Sequence, residues 1–284
     1  MDDVEKHSHM TNKHSLELFS LAGKVIVVTG GAGLLGKVFC EALSIAGASV
    51  AVVDIDEGAA KATAAQIGKS TKASAMGLGC DVTSPDSVAS MVSAVTKEFG
   101  HIDVLVNNAA SKSSNIDAFF SPFEEFSLET WREVMAVNVD GMFLVAQAVG
   151  KQMKQHGSGG SIIQTSSIYG VVAPDQRIYE GSQYNGRSIN TPAVYCASKA
   201  AVNGLTIYLA SYWASDGIRV NSLTPGGIES GQNDVFKEKY SQRVPLGRMG
   251  QATELVGALI YLASDASSYV TGQNIIIDGG LSAW

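Results

Sequence analysis

The sequence is poor in the residues on which disulfide scaffolds and metal sites depend. Its only cysteines are Cys40, Cys80 and Cys196. Odd in number, far apart and without a C-x-x-C pair, they suggest neither a disulfide framework nor a zinc site. Of the 5 histidines, His7, His9 and His14 fall in the first 14 residues. The run His7-Ser8-His9-Met10 reads as an expression-vector junction ahead of a start at Met10, so residues 1–9 are set aside and 1–20 are read as an N-terminal extension. His101 and His156 remain, both in polar surroundings and too isolated for a metal site or a Ser-His-Asp hydrolase. No metal is expected. No apolar run approaches the roughly 18 residues of a membrane span, and the acidic, polar N-terminus lacks the basic and apolar regions of a signal peptide. Basic charge is also short. Against 27 acidic residues stand 20 Lys and Arg, a net charge of −7, which is the wrong sign for holding phosphate backbones. These absences point to a reducing cytoplasm, with neither nucleic acid nor a membrane as partner.

What is present is a core-forming composition, 45% apolar and 17% charged over 284 residues, enough for one or two domains. From Lys24 onward, short β-branched runs alternate with Ala-rich stretches of helical length, the pattern of parallel βαβ units. The runs predict strands at Val25–Thr29, Ser49–Asp54, Ala73–Leu78, Val104–Asn107, Ser161–Ser166, Arg219–Thr224 and Asn274–Asp278. Helices are predicted at Leu34–Ala46, Glu57–Ile67, Pro85–Phe99, Leu128–Gln155, Ala193–Ala214 and Ala252–Ser264, with Ser84-Pro85 a start signal and Gly47 and Gly100 stops. No linker, repeat or low-complexity tract divides them. One α/β domain over 21–284 is expected, a doubly wound, seven-stranded parallel sheet with helices on both faces. Two long polar interruptions, 174–192 and 226–250, are candidate substrate loops.

Directly after the first strand comes Thr29-Gly30-Gly31-Ala32-Gly33-Leu34-Leu35-Gly36, leading into a helix. Glycines Gly30, Gly33 and Gly36 suit a tight turn that lets a pyrophosphate approach backbone N–H groups at a helix N-terminus, here those around Leu34 and Leu35. This is the Rossmann arrangement. The second strand ends at Asp54, 18 residues past Gly36, near the spacing at which a carboxylate meets the adenosine ribose hydroxyls. Asp54 would repel a 2′-phosphate, and neither the turn nor Ile55 and its successors supply an arginine to bind one. NAD(H) is therefore the expected cofactor; capping of the next helix is the other reading of Asp54.

The ordered set of glycine turn, Cys80-Asp81-Val82, Asn107-Asn108-Ala109-Ala110, Asn138, Ser166-Ser167, Tyr195-Cys196-Ala197-Ser198-Lys199 and Pro225-Gly226 resembles the short-chain dehydrogenase/reductase family, short branch, from about Leu21 to the C-terminus. One departure is visible: Leu34 stands at the usual middle glycine, after Gly33, a spacing more typical of the longer, sugar-nucleotide-modifying branch. The resemblance implies that Asp81 and Val82 frame the adenine, that Asn107, Asn108 and Ala109 border the cofactor, and that Ile228 and Ser230, after Pro225-Gly226, hold the carboxamide. The wording of SSIYGVVAPDQRIYEGSQYN and PGGIESGQN is similar to short-chain dehydrogenases of bacterial surface-polysaccharide and flagellin-glycan biosynthesis.

Interconverting an alcohol and a ketone with a nicotinamide requires a positioned acid/base for the hydroxyl proton. A tyrosine of pKa about 10 must be shifted by roughly 3 units, about 4 kcal/mol, to serve near neutrality, and a nearby ammonium can supply part of this. Tyr195 and Lys199, four apart, share one helix face, and no other tyrosine has a lysine four residues later. The resemblance implies that Ser167, in Ser-x-x-Gly with Gly170, hydrogen-bonds the substrate oxygen, and that Asn138 holds a water joining Lys199 to solvent. Ser166 alternates to the other strand face and is the fallback serine.

Ser167 and Tyr195 are 28 apart, roughly double the family spacing, and the excess is the 174–192 segment with Arg177, Tyr179, Glu180, Gln183, Tyr184, Asn185 and Arg187. Such residues suit a polyol, sugar phosphate or nucleotide sugar better than a steroid or fatty chain. Arg177, Tyr184 and Arg187, with Ser111 and Lys112, are the candidate substrate contacts; Arg243 and Arg248 are further candidates for phosphate. The expected function is NAD(H)-dependent alcohol/ketone interconversion on a carbohydrate-derived small molecule. The alternatives are a reductase of simple ketones or 3-oxoacyl thioesters, and a non-catalytic NAD-binding sensor or scaffold. The surplus apolar positions of Leu128–Gln155 and Ala193–Ala214 predict self-association, and the resemblance, in which these helices commonly build one dimer interface and the C-terminal segment around Tyr269 to Gly280 a second, implies a homotetramer.

Overall fold

A computed structural model describes residues 16–71, 73–184 and 186–284. The vector-derived stretch read at residues 1–9 lies outside the described residues. Val25–Thr29 (β1), Ser49–Asp54 (β2) and Val104–Asn107 (β4) are almost continuously buried. They read as apolar runs because helices cover both faces of the sheet. Ala75–Gly79 (β3), Gly160–Thr165 (β5), Ile218–Pro225 (β6) and Asn274–Ile277 (β7) complete it. All pairs of this seven-stranded sheet are parallel, in the order β3-β2-β1-β4-β5-β6-β7.

Alternate residues of each strand feed opposite cores. Val25 and Val27 pack with Val88, Val149 and Trp213 on one face, while Ile26 and Val28 pack with Phe39, Leu43 and Leu259 on the other. The first face carries Pro85–Phe99 (α3), Met142–His156 (α5) and Ala193–Tyr212 (α6); the second carries Leu34–Ile45 (α1), Glu57–Thr71 (α2) and Val256–Ala263 (α8). The sheet order reverses between β1 and β4. A doubly wound sheet opens its ligand crevice there, beyond the carboxyl ends of the strands.

Three differences from the sequence reading have local causes. The second helix runs on to Thr71 rather than ending at Ile67, because the Thr71 hydroxyl bonds the Ile67 carbonyl at 2.9 Å and Ser44 at 2.7 Å. The helix read as Leu128–Gln155 starts as Leu128–Met135 (α4), widens into a π-helical turn at Ala136–Gly141, and resumes as α5. The 226–250 segment contains the helix Asp234–Ser241 (α7), N-capped by Asn233, and 174–192 contains a 3₁₀ turn, Gln176–Tyr179, and a hairpin pairing Gln183–Tyr184 with Arg187–Ser188. The stretch Leu128–His156 is long and apolar enough to cross a bilayer by length and composition, but Val145, Val149 and Met153 of it are spent on the sheet core.

Candidate active site

The crevice is built where β1 meets β4. The Asn108 amide donates to the carbonyls of Thr29 (3.1 Å) and Gly30 (3.3 Å), and the Thr29 hydroxyl accepts from the N–H groups of Asn108 (3.0 Å) and Ala109 (3.1 Å). Asn107, buried beneath, accepts from the same hydroxyl and donates to the Met142 carbonyl at 2.8 Å. Gly30 has φ +62°, and a Cβ on Gly36 would lie 2.0 Å from the Gly30 carbonyl oxygen. Only glycine permits this turn. Gly33 caps α1 without a side-chain hydrogen bond, so the first-turn N–H groups at Leu34, Leu35 and Gly36 stay available at the crevice. A dinucleotide pyrophosphate fits this cradle.

The Asp54 carboxylate accepts from the Ala32 N–H at 3.0 Å, which sets it against the glycine turn, while Asp56 caps the following helix at Ala59 (2.9 Å). Asp54 is thus no helix cap. Ile55 beside it is exposed. The Asp81 carboxylate is held by the Thr83 N–H (2.9 Å) and hydroxyl (2.7 Å), and Val82 is buried against Gly141.

Ser167 follows β5, and Tyr195 and Lys199 stand on the first turns of α6, all lining one cleft with Leu34, Asn108 and Ile228. The close approach of the post-β5 turn to α6 depends on Gly170, where a Cβ would lie 2.6 Å from the Lys199 carbonyl carbon. This explains the Ser-x-x-Gly pattern. The Lys199 ammonium is buried, donates to the Thr165 carbonyl at 3.0 Å and lies 5.9 Å from the Tyr195 ring centroid. Burial pushes its pKa down to about 8. Burial pushes the largely buried Tyr195 phenol up, opposed by its hydrogen bond with Ser167. The Ser166 hydroxyl is spent on the Lys199 carbonyl at 3.0 Å, which removes it as the alternative serine.

Asn138 lies on the π-helical turn. Its buried amide accepts from the Ser111 N–H at 2.8 Å and reaches the Ser198 hydroxyl at 3.4 Å. Its side chain therefore ties the loop after β4 to α6, one residue from Lys199. Side-chain demands of this kind are a recognised cause of π-turns at functional positions.

Pro225, Gly226 and Ile228 reach the cleft, whereas the Ser230 hydroxyl turns aside to accept from the Gln232 amide at 2.9 Å. Most of the expected substrate contacts are also not brought there. Arg177 makes a two-pronged pair with Asp175 (2.8 and 2.7 Å) and Arg187 an ion pair with Asp117 at 2.6 Å, both on the exterior. Arg243 is likewise engaged by Asp175, and Arg248 by Glu254. The Ser111 hydroxyl is turned onto the Lys112 carbonyl, and neither residue lines the cleft. The side chain of Tyr184 lies outside the described part of the structure. Thr191 and Tyr169 line the cleft instead. Neither carried a charge or motif that marked it, though Tyr169 lies inside the Ser-x-x-Gly stretch. His101 and His156 are not isolated: their rings stack at 4.9 Å, and His101 pairs with Asp103 at 2.9 Å, far from this site.

Comparison with known proteins agrees with this geometry. Residues 31–282 match the family model described as enoyl-(acyl carrier protein) reductase. A D-threitol dehydrogenase from Mycolicibacterium smegmatis is 36% identical over 92% of this chain and 94% of its own. An NAD-dependent glycerol dehydrogenase from Listeria innocua is 35% identical over 95% and 98%. The crystal structure of a gluconate 5-dehydrogenase from Burkholderia cenocepacia, in complex with NADP and tartrate, superposes with a TM-score of 0.84 at 33% identity, over 95% of this chain and 100% of that one. Extended over nearly the whole chain, these matches and the Ser167, Tyr195 and Lys199 cleft make the chain a member of the short-chain dehydrogenase/reductase family.

Proposed function

We propose that the protein is an NAD(H)-dependent oxidoreductase that interconverts a secondary alcohol and a ketone on an uncharged polyol or sugar. The observation that carries this reading is the cleft itself, in which Ser167, Tyr195 and Lys199 converge beside the glycine turn. In the oxidative direction the Tyr195 phenolate accepts the substrate hydroxyl proton, and the Ser167 hydroxyl donates to the substrate oxygen and holds it there. The Lys199 ammonium favours the phenolate by its charge. A bound nicotinamide supplies the hydride acceptor or donor. The N–H groups of Leu34, Leu35 and Gly36 and the Asp54 carboxylate would hold the dinucleotide, with Asp54 favouring NAD(H) over its phosphorylated counterpart.

The uncharged substrate is supported by what lines the cleft: Lys199 is the only charged side chain there among the described residues, and the arginines of both long loops are paired elsewhere. The polyol dehydrogenases among its relatives point the same way. Titration with NADH and NADPH by fluorescence, followed by a turnover screen of tetritols, hexitols, sugar phosphates, nucleotide sugars and simple secondary alcohols, tests the reading. Tighter NADH binding with turnover on unphosphorylated polyols is expected. Turnover confined to phosphorylated sugars or nucleotide sugars would overturn the uncharged substrate and favour the narrower link to surface-glycan synthesis.

Self-association through α5 and α6 is part of the proposal, because Phe143, Ile207, Tyr208 and Tyr212 on them are exposed. A homotetramer is expected by sedimentation; a monomer would refute it. A reducing cytoplasm suits the three free thiols.

A further inference from the structure

Among the described residues, the 174–192 segment meets the catalytic cleft through one side chain, Thr191. The Thr191 hydroxyl is hydrogen-bonded to the Tyr179 phenol, which also stands 3.5 Å from the phenol of Tyr169, itself a wall of the cleft. The Thr191 carbonyl accepts from the Gln176 amide at 3.1 Å, so side chain and backbone are both fixed to the 3₁₀ turn. Tyr179 in turn stacks on Phe236 of α7 at 5.5 Å, and Phe236 packs on Tyr240 at 5.7 Å. The Tyr240 hydroxyl accepts from the Gly227 N–H at 2.5 Å, back at the cleft. Ile178, Phe236, Tyr240, Val244 and Met249 form an apolar cluster separate from both sheet cores. The two long loops are thus one packed cap with Thr191 at its inner edge.

The chemistry of this edge is specific. Tyr179 has a single proton, which it can give to Thr191 or to Tyr169. When Thr191 receives it, the Thr191 proton is free to be donated into the cleft; when Tyr169 receives it, Thr191 donates to Tyr179 and offers its lone pairs. A group that can donate or accept matches another hydroxyl, whereas a carboxylate or phosphate calls for cationic donors. Burial pushes both phenols up, so they remain protonated.

We propose that Thr191, oriented by Tyr179, binds a non-reacting hydroxyl of the substrate chain and so selects polyols over alcohols that lack it. Thr191 is the contact and Tyr179 a positioning residue. The inference rests on the polyol reading above.

The test measures kcat and KM for D-threitol and for butane-2,3-diol, which lacks the terminal hydroxyls, in wild type and in Thr191→Val, Thr191→Ser and Tyr179→Phe, alongside NADH affinity. Thr191→Val is expected to lower the threitol-to-butanediol ratio of kcat/KM about tenfold, mostly through the threitol KM. Thr191→Ser should recover most of the loss, and Tyr179→Phe should show a smaller fall, about threefold, in the same direction. Tyr179→Phe keeps the stack on Phe236 and serves as the probe should Thr191→Val fail to bind NADH. A ratio within about twofold of wild type in both Thr191→Val and Tyr179→Phe overturns the inference while leaving the polyol reading intact. Wild type that binds NADH and oxidises no polyol of the screen overturns the polyol reading and the inference with it; where the screen gives a hexitol in place of threitol, the same ratio is read with that hexitol.

Discussion

Lys199 carries a stability cost that can be measured without any substrate. Its ammonium is buried and donates to the Thr165 carbonyl. Burial lowers its pKa from 10.5 to about 8, which corresponds to about 3 kcal/mol disfavouring the charged form in the fold. Between pH 8 and 10.5 the unfolded chain holds this proton more firmly than the folded one, so the Lys199 contribution to stability rises with pH through that window. Below pH 8 the full cost applies; above 10.5 it has vanished. Lys199→Met keeps the unbranched side chain, shorter by the terminal atom, and removes the charge. The substitution should stabilise the free protein at pH 7 by about 1–2 kcal/mol, the remainder of the 3 being offset by the Thr165 carbonyl left without its donor. Urea melts of both proteins at pH 7, 8.5 and 10 test this, with wild type gaining on the variant as pH rises. Equal pH slopes across the window, or a variant less stable than wild type at pH 7, would refute the reasoning. The same variant should lose turnover, a trade of stability against activity at one residue.

Two further expectations concern packing and the cap. Gly150→Ala places a Cβ 2.4 Å from the Trp213 ring, wedged between α5 and α6, and should destabilise by about 1–3 kcal/mol in thermal or urea melts; an unchanged midpoint would mean the helices can part at no cost. Arg177→Ala with Arg187→Ala should leave the polyol KM within about twofold of wild type, because both guanidinium groups are engaged by carboxylates outside the cleft. A large rise in KM would mean that the cap rearranges on substrate binding.

The sheet was legible because parallel strands buried on both faces must be written as β-branched runs, as in Val25–Thr29 and Val104–Asn107. The glycine turn and the Tyr195 and Lys199 pair were legible because each is a local constraint, a turn that rejects side chains and two residues on one helix face. What stayed hidden depends on partners distant in sequence. The π-turn at Ala136–Gly141 accompanies the bonds of Asn138 to Ser111 and Ser198, 60 residues away. The arginines of the 174–192 segment looked available for substrate until the fold brought Asp117 against Arg187, and the turn at Asp175 closed on Arg177. Thr191 gains its place from Tyr179 and from the aromatic stack under it, which no spacing rule announces.

The most direct test of the account is the rate of NAD⁺ reduction with the polyol that the substrate screen finds turned over fastest, by wild type and Tyr195→Phe, measured at the reduced-nicotinamide absorbance band beside NADH affinity. The account predicts a fall of at least about 10³-fold in kcat with NADH affinity within about threefold of wild type, since the phenol moves the proton. A variant that turns over at a rate near that of wild type would contradict the assignment of Tyr195 as the acid/base.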